Sequence, residues 1–170
     1  MEATWALRPA RLETDGPAVA ALLAEYLDWA IATLQATYGV EDSPTDVSEI
    51  SRSLPAYLPP AGYLVVAESG GELVGTGALR TLEPGVTEVK RMYVTPAFRS
   101  RRLGSAILDH LLDTAAGTLG AGVVRLDTCR FMTDAQRLYG SRGLLERDPY
   151  EGTEIPPHLQ RYWRFFEKRL

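Results

Sequence analysis

Residues 88–112 read EVKRMYVTPAFRSRRLGSAILDHLL, and this order of residues predicts a strand, a tight turn and a helix in succession. The first part is rich in β-branched and aromatic residues and ends at Val94. Pro96 stops regular strand pairing because its ring fixes φ and it has no N–H group to donate. From Leu103 onward, apolar residues recur at the spacing of one helix face, so a helix is expected to begin near that residue.

The turn between this strand and this helix is basic. Arg99, Arg101 and Arg102 lie in it, and no acidic residue occurs from position 89 to position 108. The first turn of a helix has free N–H groups and about half a unit of positive charge from the helix dipole, so anions bind there. We therefore expect phosphate to bind at this turn, although the arginines by themselves would also suit a solvated surface.

The turn resembles the acetyl-CoA-binding motif of the GNAT N-acetyltransferase superfamily, Arg/Gln-x-x-Gly-x-Gly/Ala after a strand. Arg99 matches the first position of that motif and Gly104 the last, whereas Arg102 replaces the middle glycine. The flanking stretches MYVTPAFR and LGSAIL also resemble the family. The resemblance implies an α+β fold of GNAT type, with a twisted mixed sheet of about six to seven strands and helices on both faces.

The resemblance also implies that acetyl-CoA is the co-substrate and that no metal takes part. The pantetheine arm would bond to the backbone of Met92 and Val94, and the pyrophosphate to N–H groups of the turn. The implied cofactor-binding residues are Met92, Tyr93, Val94, Arg99, Ser100, Arg101, Arg102, Leu103, Gly104 and Ser105. Arg102 is expected to adopt a helical φ and to point toward phosphate or solvent.

Two further residues are candidates for catalysis. Residues 135–144, AQRLYGSRGL, resemble the family's Ala-x-x-Leu-Tyr-x-x-x-Gly-Phe, whose tyrosine donates a proton to the CoA sulfur, so Tyr139 is the implied general acid. Glu88 stands where the family often places a glutamate that deprotonates the acceptor amine, sometimes through water. The alternatives are a packed core aromatic for Tyr139 and an exposed or ion-paired strand carboxylate for Glu88.

Composition excludes several other classes of protein. A length of 170 residues predicts a single domain over positions 1–170, and the net charge of -4 argues against a general nucleic-acid binder. His110 and His158 are too far apart for a metal-ligand motif, and Cys129 is the sole cysteine. No signal pattern and no apolar run of membrane-spanning length is evident, so we expect a cytoplasmic protein with no membrane partner.

The function predicted from these residues is transfer of an acetyl group from acetyl-CoA to a primary amine of a small molecule or amino-acid-like acceptor. Two alternatives stay open: an acyl-CoA-binding sensor without turnover, and acetylation of a protein terminus or lysine. Acidic loop residues, among them Glu41 and Glu154, would favour a cationic acceptor. Trp163 and Phe166 suit either the core or the edge of a homodimer.

Hydrophobic periodicity and turn residues predict the other elements. Strands are expected at residues 4–8, 62–68, 72–82, 86–94, 121–128 and 162–168, and helices at 17–37, 47–54 and from Thr133. Thr14 and Asp15 suggest a cap before Pro17, and Thr133 with Gln136 forms a capping-box pattern. Two glycines inside the third expected strand, at positions 75 and 77, predict a bulge or a close approach of another element.

Overall fold

A computed structural model describes residues 4–170, and seven strands form one mixed sheet. Strands β1 to β7 span Ala6–Pro9, Gly62–Ser69, Glu72–Glu83, Val86–Val94, Val123–Cys129, Leu145–Arg147 and Trp163–Arg169. Their order across the sheet is β1-β2-β3-β4-β5-β7-β6. Among these strands β4 and β5 pair in parallel, and the other neighbours are antiparallel. The expected α+β fold with a mixed sheet is confirmed.

Helices cover both faces of the sheet, as expected. Helices α1 to α4 span Leu12–Tyr38, Val47–Ser53, Leu103–Gly117 and Thr133–Ser141. On one face α1 and α2 bury residues such as Leu23 and Ile50 against Leu64 of β2. On the other face α3 and α4 bury residues such as Ile107 and Tyr139 in a second apolar cluster.

Two helix starts differ from the sequence expectation. Helix α1 begins at Leu12, so Pro17 lies inside it, and Asp15 is buried. The Asp15 carboxylate accepts hydrogen bonds from the backbone N–H of Arg11 and from the Arg8 guanidinium, at 2.7 Å each. A capping residue was expected just before the proline, but the ion pair with β1 allows the helix to start a turn earlier.

Helix α4 also lacks the predicted capping box. Met132 occupies its N-cap position and makes no side-chain cap bond. Gln136 donates instead to the carbonyl oxygens of Cys129 and Arg130, at 2.9 and 3.2 Å. The side chain therefore ties α4 to the end of β5, which fixes how the helix enters the site.

Helix α1 is long and apolar enough to cross a membrane by length and composition, with a mean hydropathy of 1.3 over its most apolar window. The sequence expectation that no such run exists is therefore wrong. In the structure, Val19, Ala20 and Leu23 of this helix are buried against the sheet. Of that window, 33% is buried within the fold, so the buried face of α1 contributes to the core.

Candidate active site

A wedge opens in the sheet between the two parallel strands. Strand β4 pairs with β5 only as far as Glu88 and Arg125, although the strands continue to Val94 and Cys129. Beyond that point the facing edges of the two strands have no strand between them. The wedge is therefore an opening into which an extended molecule can fit as an additional strand.

A bulge in β4 accompanies the wedge. Arg91 and Met92 together face the single residue Gly77 of β3, and Arg91 has a left-handed φ of 56°. Bulged strands bend and twist more strongly than regular ones. Gly77 also permits close packing of α3, because a Cβ there would lie 2.7 Å from Cγ2 of Ile107. The bulge and the close approach of another element, the two features that the strand glycines predict, are therefore both present.

The wedge forms the floor of a cleft of about 1230 Å³. Its walls come from α1, the connection to α2, β4, the basic turn, β5 and the start of α4. Of the predicted cofactor-binding residues, those that line the cleft are Met92, Tyr93, Val94, Arg99, Ser100, Arg102, Leu103, Gly104 and Ser105. Arg101 is not among the described lining residues, and its guanidinium lies 5.2 Å from the ring centre of Phe98.

Backbone groups of β4 face the wedge. The Thr95 N–H donates to the carbonyl oxygen of Val74 on the β3 side, at 3.0 Å. Backbone groups of successive strand residues point to opposite sides, so Val94 and Met92 present theirs toward β5. The guanidinium of Arg99 donates to the Val94 carbonyl oxygen from that side, at 3.2 Å.

The basic turn contains two residues in the left-handed region, Ser100 with φ 63° and Arg102 with φ 60°. Arg102 is the N-cap residue of α3 and makes no side-chain cap bond. The expectation of a helical φ at Arg102 is therefore wrong, because the tight turn requires the conformation that glycine adopts most easily. A side chain in this conformation costs roughly 1–2 kcal/mol.

Tyr139 projects from α4 into the cleft. Its side chain is buried, and its ring centre lies 6.1 Å from that of Phe166. Within residues 4–170 its hydroxyl makes no hydrogen bond to another side chain or to the backbone. Burial raises the pKa of Tyr139 above its usual value, and Tyr26 and Asp127 raise it further. The phenol is therefore protonated at neutral pH and free to donate its proton to a bound molecule.

Glu88 has a different environment. Its side chain has 0% exposure and is not among the described residues that line the cleft. One carboxylate oxygen accepts a hydrogen bond from Nε of Arg80 at 2.7 Å, and the other accepts one from the Tyr150 hydroxyl at 2.6 Å. Of the two roles considered from the sequence, this geometry matches an ion-paired strand carboxylate.

A charged cluster centred on Lys90 lies on the cleft wall. Lys90 Nζ is 3.2 Å from a carboxylate oxygen of Asp127 and 3.2 Å from one of Glu154. Burial, the largest single effect, lowers the pKa of Lys90, but Asp127, Glu88 and Glu154 together raise it above its usual value. Lys90 therefore stays charged and holds the two carboxylates at the cleft wall.

Thr128 leaves a polar group unsatisfied in the same cleft. Its side-chain oxygen is buried and has no hydrogen-bond partner among the described residues. Strand alternation places Thr128 on the same face of β5 as Leu126, which packs in one cluster with Tyr139. An unpaired buried hydroxyl costs roughly 1–3 kcal/mol, so a bound molecule that accepts or donates there would be stabilised.

Known proteins are similar to this chain in sequence and in fold. The model of the Acetyltransferase (GNAT) family matches residues 20–144. The chain belongs to the GNAT acetyltransferase family. It is 33% identical over 110 residues to an uncharacterised N-acetyltransferase of Schizosaccharomyces pombe, over 64% of this chain and 67% of that protein. It is 36% identical over 115 residues to the N-alpha-acetyltransferase RimI of Mycobacterium tuberculosis, over 66% and 68%.

Solved structures have the same fold as this GNAT domain. One is the PaiA N-acetyltransferase of Thermoplasma acidophilum in complex with coenzyme A, with a TM-score of 0.69 and 17% identity over 98% of this chain and 99% of that one. The expectation of an acetyl-transferring enzyme of this family is confirmed. Among residues 4–170, no group of three or more His, Cys, Asp or Glu side chains is arranged to hold a metal ion.

Sequence reasoning missed part of the GNAT site. Lys90 and Thr128 line the cleft, yet neither was predicted to do so. A signal was present in β5, where Asp127 and Thr128 put two polar residues in a row at the end of a buried strand. The contact between Lys90 and Asp127 joins residues 37 positions apart, so no local pattern could reveal it.

Proposed function

We propose that this GNAT enzyme transfers an acetyl group from acetyl-CoA to a primary amine of a small molecule or amino-acid-like acceptor, by direct attack in a ternary complex. The observation that carries the proposal is the cleft between β4 and β5, into which Tyr139 points an unbonded hydroxyl. A free phenol hydroxyl at the floor of the cleft can donate a proton when two molecules react there.

The residues of the cleft suit acetyl-CoA. Met92 and Val94 offer backbone groups to an extended arm in the wedge, and the unpaired hydroxyl of Thr128 offers a further hydrogen bond. Arg99 and Arg102 line the cleft at the start of α3, where a pyrophosphate is favoured by charge and by free N–H groups. When bound, acetyl-CoA supplies a thioester whose acetyl group an amine can accept.

Glu88 is better suited to positioning than to proton abstraction. Glu88 has no exposed surface, is not among the described residues that line the cleft, and is hydrogen-bonded to Arg80 and Tyr150, so an acceptor amine in the cleft does not reach its carboxylate. Glu88 holds Arg80, and its carboxylate lies 3.9 Å from Lys90 Nζ. We therefore propose water as the acceptor of the amine proton, in place of the direct role considered for Glu88 from the sequence.

Tyr139 is proposed as the general acid. Its raised pKa keeps the phenol protonated, and a thiolate with a pKa near 8.5 readily takes a proton from a donor in hydrogen-bond range. Backbone N–H groups at Val94 are the proposed donors to the carbonyl oxygen, where negative charge develops.

A protein N-terminus is a competing acceptor. The similarity to a protein named N-alpha-acetyltransferase RimI favours it. A peptide acceptor differs from a small amine because its backbone continues beyond the first residue and must leave the cleft. The two acceptor classes are therefore separated by comparing free amines with short peptides that carry the same N-terminal residue.

The test is a screen of amines and short peptides with release of the CoA thiol as the readout, combined with calorimetric titration of acetyl-CoA. The proposal predicts acetyl-CoA binding and turnover with at least one small amine. Turnover with peptides alone would assign the enzyme to protein termini. Binding of acetyl-CoA without turnover on any acceptor would contradict the proposal and favour a sensor.

A further inference from the structure

An aromatic wall forms one side of the cleft. We use this term for Tyr26 and Trp29 of α1, Phe131 after β5, and Trp163 of β7, all of which line the cleft. Trp29 and Phe131 meet edge to face, with ring centres 5.5 Å apart and planes at 84°. Trp29 is 44% exposed. Because Trp29 lines the cleft and remains partly exposed there, part of the indole is accessible to a ligand bound in the cleft.

The aromatic wall begins at the proposed reaction centre. The ring of Tyr26 lies 5.5 Å from that of Tyr93 on β4, and 6.3 Å from that of Trp29. Tyr26 is also near enough to Tyr139 to help raise the pKa of that phenol. Tyr26 therefore connects the aromatic wall with β4 and with the surroundings of Tyr139.

Phe131 is held in place from behind. Its ring centre lies 6.4 Å from that of Tyr38, which in turn stacks on Tyr162 at 4.9 Å. Neither tyrosine is among the residues that line the cleft. A supported aromatic surface binds a ring at low entropic cost, because its own side chains are already ordered.

Acidic residues line the same cleft as the aromatic wall. Asp42 and Asp46 lie in the connection between α1 and α2, and Glu49 follows in α2. A protonated amine is attracted to these carboxylates, and its ring then meets an aromatic surface. Edge-to-face and offset contacts between aromatic rings stabilise by about 0.5–1.5 kcal/mol beyond the effect of buried area.

We propose that the acceptor is an arylalkylamine, a primary amine joined by a short chain to an aromatic ring, and that Trp29 and Phe131 hold the ring. This inference rests on the proposed acetyl transfer and names the acceptor class for the same site. The short chain places the amine beside Tyr139 while the ring contacts the aromatic wall.

The amine, acetyl-CoA, Tyr139 and water account for every bond and proton in the reaction. An amine that arrives as an ammonium ion first releases one proton to water. The neutral nitrogen then forms a bond to the acetyl carbonyl carbon, and the carbon–sulfur bond breaks. The nitrogen loses one proton to water, and the sulfur takes one from Tyr139, which regains it from water. The products are an N-acetyl arylalkylamine and CoA with a free thiol.

The test compares 2-phenylethylamine with propylamine, which has the same charge and no ring. Release of the CoA thiol gives kcat/KM, and calorimetry measures amine binding to the enzyme saturated with CoA. We expect kcat/KM to be at least about tenfold higher for 2-phenylethylamine, the scale of one well-packed ring contact. Trp29→Ala should lower both kcat/KM and affinity about tenfold more for 2-phenylethylamine than for propylamine, because only the first amine has a ring for the indole to contact.

Leu145→Ala is the control, because Leu145 is 73% exposed on the edge strand β6 and is not among the described lining residues. It should leave both amines unchanged. Equal kcat/KM for the two amines in the parent enzyme, or an equal loss for both in Trp29→Ala, would overturn the assignment. If no amine or peptide releases thiol although acetyl-CoA binds, acetyl transfer itself fails. If acetyl transfer occurs but 2-phenylethylamine and propylamine react equally well, only the assignment of an arylalkylamine acceptor is wrong.

Discussion

Tyr139 and Glu88 are both buried polar residues beside the wedge, and the sequence assigned a catalytic role to each. The Tyr139 hydroxyl has no hydrogen-bond partner among the described residues and faces the cleft. Both oxygens of Glu88 are bonded, to Arg80 and Tyr150. The difference shows that a polar residue near a reaction centre can act on a substrate only if it keeps a hydrogen-bonding group free.

The largest expected effect is on stability. Glu88→Gln removes the negative charge that Arg80 and Lys90 face in the interior. Breaking a buried ion pair on one side costs about 3 kcal/mol, so the free energy of unfolding should fall by about that amount. Urea denaturation measures it, and the pH dependence of kcat should keep its shape.

Glu154→Gln is the matched control for Glu88→Gln. Glu154 contacts the same two cations, Arg80 and Lys90, but its side chain is 38% exposed. An ion pair in contact with solvent contributes roughly 0–1 kcal/mol, so this variant should be much less destabilised. An altered acid limb of the pH profile in Glu88→Gln, with normal stability, would restore Glu88 as the base.

Tyr139→Phe tests the role of Tyr139 as the general acid. The change keeps the ring that packs near Phe166 and removes only the hydroxyl. We expect unchanged stability and acetyl-CoA affinity, with kcat lower by about 10²-fold, the usual contribution of a general acid. Steady-state kinetics and calorimetry check these outcomes. Parent-like turnover in this variant would make Tyr139 a packing residue.

A substitution in the basic turn should have a smaller effect, because Arg102 is exposed whereas Glu88 and Tyr139 are buried. Arg102→Gly removes left-handed strain of roughly 1–2 kcal/mol, partly offset by about 0.5–1 kcal/mol of unfolded-chain entropy. A net gain of about 0.5–1 kcal/mol should raise Tm. Affinity for CoA, measured by calorimetry, should change by about tenfold or less.

Arg101→Gly is the control for Arg102→Gly. Arg101 does not have a positive φ, so glycine there adds unfolded-chain entropy without relieving strain. This variant should be slightly less stable than the parent. A stability gain of equal size at both positions would show that charge in the turn, and not backbone conformation, is responsible.

The smallest expected effect is on the pH dependence of the parent enzyme. The pKa of Tyr139 is raised above its usual value near 10, so the acid form persists as pH increases. The rate should therefore show no decline from loss of this proton below about pH 10. A pH–rate profile with a saturating amine checks this. A decline near pH 8 that disappears in Tyr139→Phe would contradict it.

Much of the fold could be predicted because its signals are local. The segment from Val86–Val94 to Leu103–Gly117 was predicted correctly, since strand propensity, a proline and helical spacing all lie within a few residues of one another. The strand Leu145–Arg147 was missed. It has only three residues, two of them exposed, and it exists because it pairs with β7.

The sequence by itself determined where phosphate and a proton donor are expected, because the basic turn and the segment around Tyr139 are continuous stretches. The tertiary structure decided which of these groups are free. Glu88 became a bonded residue because Tyr150, 62 positions away, donates to it. Arg102 took a left-handed φ because the turn must bring α3 against the end of β4. Such outcomes depend on contacts between distant segments, which no local pattern of residues encodes.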